Sequence, residues 1–484
     1  MKILIFGTGS STMLYIRDCK EYFDNIEILG FVDNNKDKLG KEISKKKIIS
    51  PYAISDFDYD VILICSVYEE EVYNQLVFTL DICEKKIYTR RRFFEKFVFP
   101  WYDEKYNLYN KKILIISENY ATDKEYRKYY GRYCDLFNVT KIISINEIYL
   151  IQNYEYDYIL LTNFSPVVLQ NKKLLEDNLS IIDNLVKNYI ILTNEVISIY
   201  FANIREIQYG NDYSDKKFLI IRSSGYFAGL GIIALTAAKG IEYAKTKGYI
   251  PIIDMQTQET QYLEDEEYGK VNAYIKFFKQ PDGYDVNDIK NAKSVSIMYG
   301  AKWFSEKKED RLIFPNMQSE LYDKYCNFKK KFKNKKVLGV LFRGTDYANL
   351  KPYGHNIQPD LYSMIQVVKE KIEKWGEFDL IYLCTEVKEA CEKFEIEFGK
   401  EKVCYYPQLR YKSDTKKYLA DIPLLKGEHT EQGKSYWIAL NCLAVCDSII
   451  AGQCAGTKIA TIINNYKYKN KYLFKLGKYG IDDV

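Results

Sequence analysis

The stretch Val337-Leu-Gly-Val-Leu-Phe-Arg-Gly-Thr-Asp-Tyr347 decides the fold of the C-terminal part of the chain. It begins with a short apolar run, which is typical of a strand buried in a parallel sheet. Arg343 follows this run directly, so we expect it at the carboxyl end of the strand, where open α/β sheets bind ligands. Because a guanidinium makes two parallel hydrogen bonds, Arg343 suits a diphosphate. The alternative is a structural ion pair with Asp346, and this stretch alone leaves both open.

Two later stretches repeat the pattern of an apolar run that ends in polar or small residues. Asp379-Leu-Ile-Tyr-Leu-Cys-Thr-Glu386 ends in a threonine and a carboxylate. Asp447-Ser-Ile-Ile-Ala-Gly-Gln-Cys-Ala-Gly-Thr457 enters a small-residue loop, and a helix is predicted over 458–463. A glycine-rich turn that opens a helix offers free N–H groups and the positive end of the helix dipole to an anion. The three strand ends together predict a site for a nucleoside diphosphate.

These motifs resemble those of the GDP-fucose-dependent fucosyltransferases of the core-fucosylating and nodulation type, which have the metal-independent GT-B architecture. The similar blocks are Arg343-Gly-Thr-Asp346, Tyr382-Leu-Cys-Thr-Glu386 and Gly452-Gln-Cys-Ala-Gly-Thr457, in the family's order. The segment Asn272-Ala-Tyr-Ile-Lys-Phe-Phe-Lys-Gln-Pro281 is similar to a block of bacterial relatives. The resemblance therefore covers residues 216–484.

The resemblance implies a metal-independent, inverting glycosyltransferase. Its partners would be a nucleotide-sugar donor, GDP-fucose, and a glycan or lipid-linked acceptor in surface polysaccharide synthesis, and transfer would require no cofactor. The donor-binding residues on the three motifs would be Arg343, Thr385, Glu386, Gly452, Gln453, Gly456 and Thr457. The chain departs from the family pattern at Leu341 and Gly344, where the family has a histidine and a second arginine, and at Glu386, where it has aspartate.

The motifs do not identify the group that deprotonates the acceptor. The family's proposed base is a glutamate a few residues past the Thr-Asp pair, and none stands there. The candidates are Asp346, His355 and Asp360; Asp346 could instead orient Arg343, and a lone loop histidine is more often a surface residue. We predict Arg343, Asp346 and His355 as the catalytic residues.

The half before the donor motifs, residues 216–330, is predicted to bind the acceptor. It consists of a strand at Phe218–Arg222, a glycine loop at Ser223–Gly231, a helix that continues to about Lys247, and a second strand at Tyr249–Asp254. Gly229, Gly231 and Gln280 are the predicted acceptor-side residues. Glycine permits close approach of a ligand, although close packing of the helix on the sheet would also require it.

The N-terminal region, residues 1–97, has the β-α-β-α-β pattern of a Rossmann-like fold. Gly7-Thr-Gly-Ser-Ser-Thr12 is a variant of the dinucleotide fingerprint that lacks its third glycine. Gly7, Gly9, Ser10 and the ribose-binding candidate Asp33 predict a site for NAD(P) or another nucleotide. The alternative is a Rossmann-like fold that has lost its cofactor. The region is similar to small nucleotide-binding domains of bacterial polysaccharide-synthesis proteins.

The predicted fold class is therefore α/β, with a Rossmann-like N-terminal region followed by a GT-B pair of Rossmann-like halves. A second α/β unit is predicted over residues 110–205, because Lys112–Ile116 and Tyr156–Thr162 are similar to the first and third strands of the N-terminal region. Residues 216–330 would form the acceptor-side half and residues 335–484 the donor half.

Composition excludes several classes of protein. A net charge of +4 over 484 residues is too small for a dedicated nucleic-acid binder. With two histidines and no C-x-x-C pair, a zinc site is not expected, and the eleven scattered cysteines suit a reducing cytoplasm. Met1-Lys-Ile-Leu-Ile-Phe-Gly is not a signal peptide, and no apolar stretch reaches the roughly 20 residues of a membrane span. We expect a cytoplasmic protein, with at most peripheral membrane contact through the lysines of residues 328–336.

Two rival functions stay open at this point. The chain could be a non-catalytic nucleotide-sugar scaffold or sensor, because Leu341 and Gly344 replace two basic groups of the family. It could also be an NAD-dependent oxidoreductase or epimerase that acts through residues 1–97, although that region lacks a Tyr-x-x-x-Lys pair at a matching place.

Overall fold

The apolar runs of the sequence are strands of mainly parallel sheets in a computed structural model of the chain. The structure describes residues 1–66, 68–117, 136–144, 150–162, 190–192, 194–223, 229–257, 260–264, 266–300, 312–352 and 354–480. The chain divides into two units. The first contains Met1–Ile207 and Ser296–Lys308, and the second contains Gln208–Val295 and Glu309–Val484.

The N-terminal sheet of the first unit has six strands in the order β3-β4-β2-β1-β5-β6. Every pair is parallel except the short hairpin of β3 and β4. The strands are β1 (Lys2–Phe6), β2 (Glu27–Val32), β3 (Glu42–Ile43), β4 (Lys46–Ile49), β5 (Val61–Ile64) and β6 (Ile87–Thr89). The helices are α1 (Ser10–Asp18), α2 (Lys20–Phe23), α3 (Glu69–Asn74), α4 (Arg90–Phe93) and α5 (Phe99–Tyr106).

The next sheet of the first unit has four strands in the order β10-β9-β7-β8. They are β7 (Lys112–Ser117), β8 (Asn138–Ser144), β9 (Tyr158–Thr162) and β10 (Ile190–Leu192). The first strand of this sheet, β7, lies between β8 and β9, as β1 lies between β2 and β5 in the N-terminal sheet. The register shifts at the same point in both, between Ile3 and Leu4 and between Ile113 and Leu114. The unit also contains α6 (Asn194–Ala202), β11 (Arg205–Ile207) and all but the first residue of β14 (Val295–Tyr299).

The second unit opens with a strand, helix and strand: β12 (Phe218–Arg222), α7 (Leu230–Thr246) and β13 (Ile250–Ile253). The two strands pair in parallel. A five-stranded parallel sheet follows, in the order β17-β16-β15-β18-β19. Its strands are β15 (Val337–Phe342), β16 (Leu380–Thr385), β17 (Val403–Cys404), β18 (Ser448–Ala451) and β19 (Asn470–Leu473).

Helices cover both faces of β15, the central strand of this sheet. Leu338, Val340 and Phe342 belong to a core shared with two helices on one face. On the other face, a Cβ at Gly339 would lie 2.7 Å from Cδ1 of Leu443. The helices of this region are α8 (Ser319–Lys329), α9 (Asp346–Leu350), α10 (Leu361–Trp375), α11 (Lys388–Phe398), α12 (Glu428–Ala444) and α13 (Ala455–Ile463).

An aspartate just before a strand holds the start of the neighbouring central strand in three of these sheets. Asp60 accepts a hydrogen bond from the backbone N–H of Lys2 at 2.7 Å and donates its own N–H to the Lys2 carbonyl at 2.9 Å. Asp157 and Lys112 make the same pair of bonds, at 2.7 and 2.8 Å. In the C-terminal sheet the pairs are Asp379 with Lys336 and Asp447 with Val337. We call these four arrangements the aspartate clamps.

The structure confirms the predicted fold class, α/β with a Rossmann-like N-terminal region followed by a pair of Rossmann-like halves. One boundary differs, because α13 begins at Ala455 and not at Lys458. Gly456 and Thr457 therefore lie in the first turn of a helix and not in a loop. The division into four domains stays a prediction. Among the described helices, none combines the length and the hydrophobicity needed to cross a bilayer.

The packing of β15 on α12 yields a stability prediction. Gly339→Ala would place its Cβ 2.7 Å from Leu443 and 3.1 Å from Cys446, inside a filled core. We expect a loss of about 1–3 kcal/mol in the free energy of unfolding, the usual cost of overpacking. The measurement is urea denaturation of the wild type and the variant.

Gly229→Ala is the matched control, because the Cβ position at Gly229 is open and its φ of −67° suits any residue. We expect it to cost less than Gly339→Ala, at most about 1 kcal/mol, because the added Cβ meets no atom and only the poorer N-cap preference of alanine opposes it. Equal effects of the two substitutions would contradict the packing described for β15.

Candidate functional site

The ends of three strands in the second unit define one edge of its C-terminal sheet. β15 lies between β16 and β18, and all three strands are parallel. Their carboxyl ends therefore meet at the same edge, where Arg343, Glu386 and Gly452 follow the strands. The sequence predicted these residues as one site, and the topology brings their backbones together.

Arg343 is held by a carboxylate and an aromatic ring. Its Nη2 donates to the two carboxylate oxygens of Asp346 at 3.2 and 3.4 Å, and its guanidinium carbon lies 4.0 Å from the Tyr347 ring centroid. Burial lowers the pKa of Arg343, but the carboxylates of Glu386 and Asp346 raise it further, so the net shift is upward. The Nε atom is buried and has no hydrogen-bond partner. The ion pair that was the alternative prediction exists, yet it leaves a donor available for a ligand.

The Asp346 carboxylate accepts hydrogen bonds from donors in three segments of the predicted donor half. Besides Arg343, it accepts from the backbone N–H groups of Tyr347 at 2.9 Å and Leu419 at 3.3 Å. The residue is buried, with an exposed fraction of 3%. Its geometry fits a group that orients Arg343 better than one that takes a proton from a substrate.

Glu386 holds the loop that follows β15. Its Oε1 accepts from the Gly344 N–H at 3.2 Å and from the Thr345 hydroxyl at 3.0 Å. Burial raises the pKa of Glu386, and the nearby positive charge of Arg343 offsets only part of this shift. Thr385 is also structural, because its hydroxyl accepts from the Val387 N–H at 3.1 Å.

The loop between β18 and α13 is fixed by its own side chains. The Thr457 hydroxyl donates to the Gly452 carbonyl at 2.5 Å, and Gln453 Nε2 donates to the Phe474 carbonyl at 2.9 Å. A Cβ at Gly452 would lie 2.2 Å from Gln358 Oε1 and 3.1 Å from Cδ of Pro359, so a side chain here would displace the Gln358 amide. The side chains of Gln453 and Thr457 thus hold the loop, and any contact with an anion falls to the backbone N–H groups at the start of α13.

Two helix N-termini meet at this edge. A Cβ on Gly231, in the first turn of α7, would lie 3.2 Å from Ile459 and 3.8 Å from the Cβ of Ala455 in α13. Gly231 therefore allows close packing of α7 on another helix, α13, whereas the alternative left open by the sequence was packing of the helix on the sheet. The Cβ position at Gly229, the N-cap of α7, is open. The rest of the predicted glycine loop, residues 224–228, lies outside the described residues.

Two tyrosines that the sequence did not single out connect the helices. The Tyr262 hydroxyl accepts from the Leu230 N–H at 3.1 Å, at the first residue of α7. The Tyr436 hydroxyl lies 3.1 Å from the Cβ position of Gly456 in α13. Burial raises the pKa of Tyr436, and Arg343 lowers it slightly, which places both side chains in one electrostatic neighbourhood. Gly433 is the residue in the sequence that could have indicated this packing, because a glycine inside a helix usually has a packing reason.

His355 and Gln280 are the remaining predicted residues of this unit. The His355 ring makes an edge contact with Tyr347 at 4.8 Å between centroids, so Tyr347 contacts both His355 and Arg343. Burial and the charge of Arg343 lower the pKa of His355. The Gln280 amide bonds the Ile253 N–H at 3.0 Å and the Ile253 carbonyl at 2.8 Å, so it is already engaged in holding β13.

The N-terminal site candidates lie together at the ends of β1 and β2. Gly7 has a φ of +114°, and its Cβ position lies 3.1 Å from Cys65 backbone atoms, so both constraints demand glycine. Gly9 is the N-cap of α1 and Ser10 is its first residue. Asp33 accepts from the Thr8 hydroxyl and, at 3.2 Å, from Lys38.

Asp33 is thus engaged within its own domain. Burial by itself raises the pKa of Asp33, but the hydrogen bonds from Thr8, Asn35 and Lys38 outweigh it and lower the pKa. A nucleotide ribose would share these carboxylate oxygens with the three donors. Binding of NAD(P) or another nucleotide here stays a prediction. Across both units, the described part of the chain has no group of three or more His, Cys, Asp or Glu placed to hold a metal ion.

Comparisons with known proteins give one family match and several distant structural likenesses. The family described as C2185-like, N-terminal, matches residues 1–88. No curated protein matches the chain. Among solved structures, the NodZ α-1,6-fucosyltransferase soaked with GDP-fucose is similar at 16% identity and a TM-score of 0.33, over 51% of this chain and 92% of that one.

Two further solved structures are similar at the same level. Selenomethionine NodZ from Bradyrhizobium has 15% identity and a TM-score of 0.33, over 55% of this chain and 97% of that one. POFUT1 in complex with GDP has 9% identity and a TM-score of 0.25, over 76% of this chain and 98% of that one.

The environment of Glu386 yields a pH-dependent stability prediction. Its folded pKa is raised above the usual 4.5, so folding favours the protonated form and the ionised form costs stability at neutral pH. Glu386→Gln removes this cost, while the amide oxygen can still accept from Gly344 and Thr345. We expect the variant to be as stable as the wild type or more stable at pH 7, with an advantage that shrinks as the pH falls through the folded pKa.

Thermal unfolding between pH 4 and 8 measures the difference. Glu389→Gln is a control on the exposed side of the same region, where Glu389 accepts from the Ser413 N–H. A melting temperature that falls in Glu386→Gln at pH 7 and recovers at low pH would show the opposite sign and refute the assignment.

Proposed function

We propose that this chain is a metal-independent, inverting glycosyltransferase of the GT-B type. Its donor would be a nucleotide sugar, GDP-fucose by the resemblance of the three strand-end motifs, and its acceptor a glycan or a lipid-linked glycan. Donor binding would fall to the half that carries β15–β19, and acceptor binding to the half that carries β12 and β13.

The observation that carries it is the position of Arg343. The guanidinium stands at the carboxyl end of a central parallel strand, with a buried Nε that lacks a partner. The N-termini of α7 and α13 pack against each other in the same unit, and Tyr436 connects the start of α13 to the surroundings of Arg343. A cation and two helix N-termini together suit a diphosphate.

In the proposed reaction, the acceptor hydroxyl attacks the anomeric carbon of the donor sugar. The bond between that carbon and the diphosphate oxygen breaks, both bonding electrons leave with the nucleoside diphosphate, and the hydroxyl proton passes to a base. Attack from the face opposite the leaving group inverts the anomeric centre. Negative charge grows on the diphosphate as the bond breaks, so preorganised donors at Arg343 and the helix starts stabilise the transition state.

His355 is the proposed base. Asp346 is engaged with Arg343 and two backbone N–H groups, so its oxygens are already used. His355 has a lowered pKa, which leaves the imidazole neutral and able to take a proton at pH 7. Its contact with Tyr347 places it one aromatic ring away from the Arg343 guanidinium.

A second candidate function is a non-catalytic sensor of nucleotide sugars. The hydrogen bonds that occupy the Asp346 carboxylate favour this function. A site that has the Arg343 guanidinium but no free carboxylate to act as a base would bind a donor without turning it over. The two functions differ in turnover and not in binding, so the experiment below separates them.

The test of the proposal is turnover of GDP-fucose by Arg343 variants. If Arg343 stabilises the departing diphosphate, Arg343→Ala should lower kcat by about two to three orders of magnitude, the scale for loss of one preorganised donor. Arg343→Lys keeps a charge but loses the planar fork, so we expect it to be impaired as well. GDP release in the presence and absence of EDTA is the measurement.

Arg410→Lys is the matched control, because Arg410 lies in the same half and its Nε is likewise buried and unpartnered. Its guanidinium bonds the carbonyls of Tyr406 and Gln408, and we expect turnover within about twofold of the wild type. Wild-type turnover in Arg343→Ala would refute the proposal. GDP binding without any turnover in the wild type would favour the sensor, and loss of turnover in EDTA would refute metal independence.

The role of His355 predicts the pH dependence of turnover. A general base acts in its deprotonated form, and the pKa of His355 lies below the usual 6.5. We expect kcat to be constant near pH 7 and to fall about tenfold per pH unit below that pKa. His355→Gln should lower kcat and abolish this acidic limb.

The chain has only one other histidine, so His429→Gln is the natural comparison. The acidic limb should persist in that variant. A limb that is unchanged in His355→Gln would assign the proton transfer to a different group.

A further inference from the structure

The first turns of α12 carry a row of polar side chains that the proposed reaction does not use. His429, Gln432 and Tyr436 follow one another at spacings of three and four residues, so they share one face of the helix. Because an α-helix rises about 1.5 Å per residue, the row is about 10 Å long. Its far end, Tyr436, lies at the start of α13. The row therefore leads from the proposed diphosphate position toward the other half.

The acceptor-side half packs against the same turns of α12, through residues next to this row. The Thr430 hydroxyl donates to the Tyr262 carbonyl at 3.2 Å, and the Gly427 N–H donates to Glu264 Oε1 at 2.8 Å. A Cβ on Gly433 would lie 2.7 Å from the Tyr262 ring, so glycine allows the contact. The segment 261–264 and the start of α12 thus form one packed arrangement.

Three polar atoms in this arrangement are buried without hydrogen-bond partners: Gln261 Oε1, Gln432 Oε1 and His429 Nδ1. An unpaired buried polar atom costs free energy, and such atoms in a folded protein require an explanation. Gln432 Nε2 donates to the Tyr411 hydroxyl at 2.9 Å, which fixes the amide with its oxygen as the unused acceptor. Two amide oxygens and an imidazole nitrogen are therefore available to a ligand that carries hydrogen-bonding groups.

The charges around these atoms restrict the ligand. Burial lowers the pKa of His429, while Glu264 and Glu428 raise it by a smaller amount, so the imidazole is neutral and lies near two carboxylates. Lys426 and Lys434, the nearest lysines of this segment, are paired with Glu266 and Glu431. A carboxylate or phosphate on the ligand would meet negative charge here, whereas neutral hydroxyl groups would not.

We propose that Gln261, Gln432 and His429 bind the hydroxyl groups of a neutral acceptor sugar next to the diphosphate site. This assignment rests on the proposed function, because it places the acceptor beside a donor that Arg343 holds. The Tyr262 ring is buried against Phe277 and the Gly433 position, and the Tyr411 hydroxyl holds the Gln432 amide, so the two tyrosines position the polar groups of the subsite. The subsite selects against uronic acids and phosphorylated sugars by charge.

The experiment compares neutral and acidic methyl glycosides as acceptors. GDP release from GDP-fucose is followed while methyl β-glucoside, methyl β-galactoside, methyl α-mannoside or methyl β-glucuronide is added to the full chain. We expect at least one neutral glycoside to accelerate GDP release and the glucuronide to have no effect. Ligand-observed NMR on the same glycosides measures binding without any reaction.

Gln261→Met and Gln432→Met test the two amides from opposite sides of the subsite. Each variant keeps the side-chain length and loses the acceptor oxygen, so we expect its KM for the active glycoside to rise about tenfold. Donor hydrolysis without a glycoside should stay within about twofold of the wild type. Gln318→Met is the matched control, since its amide nitrogen bonds the carbonyls of Ile275 and Phe278 and it should leave KM unchanged.

The outcomes separate this inference from the proposed function. If both variants keep the wild-type KM, or if no neutral glycoside accelerates GDP release or binds, the subsite is refuted. If hydrolysis of GDP-fucose does not depend on Arg343, the proposed function fails. The NMR signal of the glycosides, with its loss in Gln261→Met and Gln432→Met, would then still support the sugar subsite.

Discussion

A partly buried guanidinium at the end of a strand needs carboxylate partners, and the environment of Arg343 follows from this requirement. Asp346 holds the cation directly, while Glu386 holds the loop that carries it and adds a second carboxylate nearby. Two carboxylates and one cation leave a negative excess at a place proposed for an anionic ligand. Burial raises the pKa of Glu386, which reflects the cost of holding this second carboxylate here. The partial positive charges of the two helix N-termini offset part of the negative excess.

Glycine residues, which have no side chain, allow these N-termini to approach each other in the second unit. Gly231 allows α7 to approach α13, Gly456 makes room for the Tyr436 hydroxyl, and Gly433 makes room for the Tyr262 ring. Each glycine sits inside a helix, where it costs stability relative to alanine. The close approach that results joins the acceptor-side half to the donor half within one unit, and this contact is what would bring the two substrates together.

The strands could be predicted from the sequence, and most of the site contacts could not. Phe218–Arg222 was predicted at its observed bounds, because a buried strand is encoded by its own apolar residues. The start of α13 was placed three residues late, since Ala455, Gly456 and Thr457 have loop-like local preferences. Packing of that first turn against Tyr436 and Leu440 overrides those preferences. Tyr262 lies far from Tyr436 in the sequence, and no local pattern indicates that both reach the same helix starts.

Three of the four aspartate clamps, those of Asp60, Asp379 and Asp447, lie at the edge of a sheet opposite to a candidate site. Each clamp fixes the amino end of a central strand, and each site candidate follows a carboxyl end. Mutations that alter a ligand contact therefore leave the alignment of the strands intact. Evolution can exchange the substrate of such a sheet while the same aspartates preserve its architecture, and the similar register of the two N-terminal sheets is consistent with a duplicated scaffold whose binding edges then diverged.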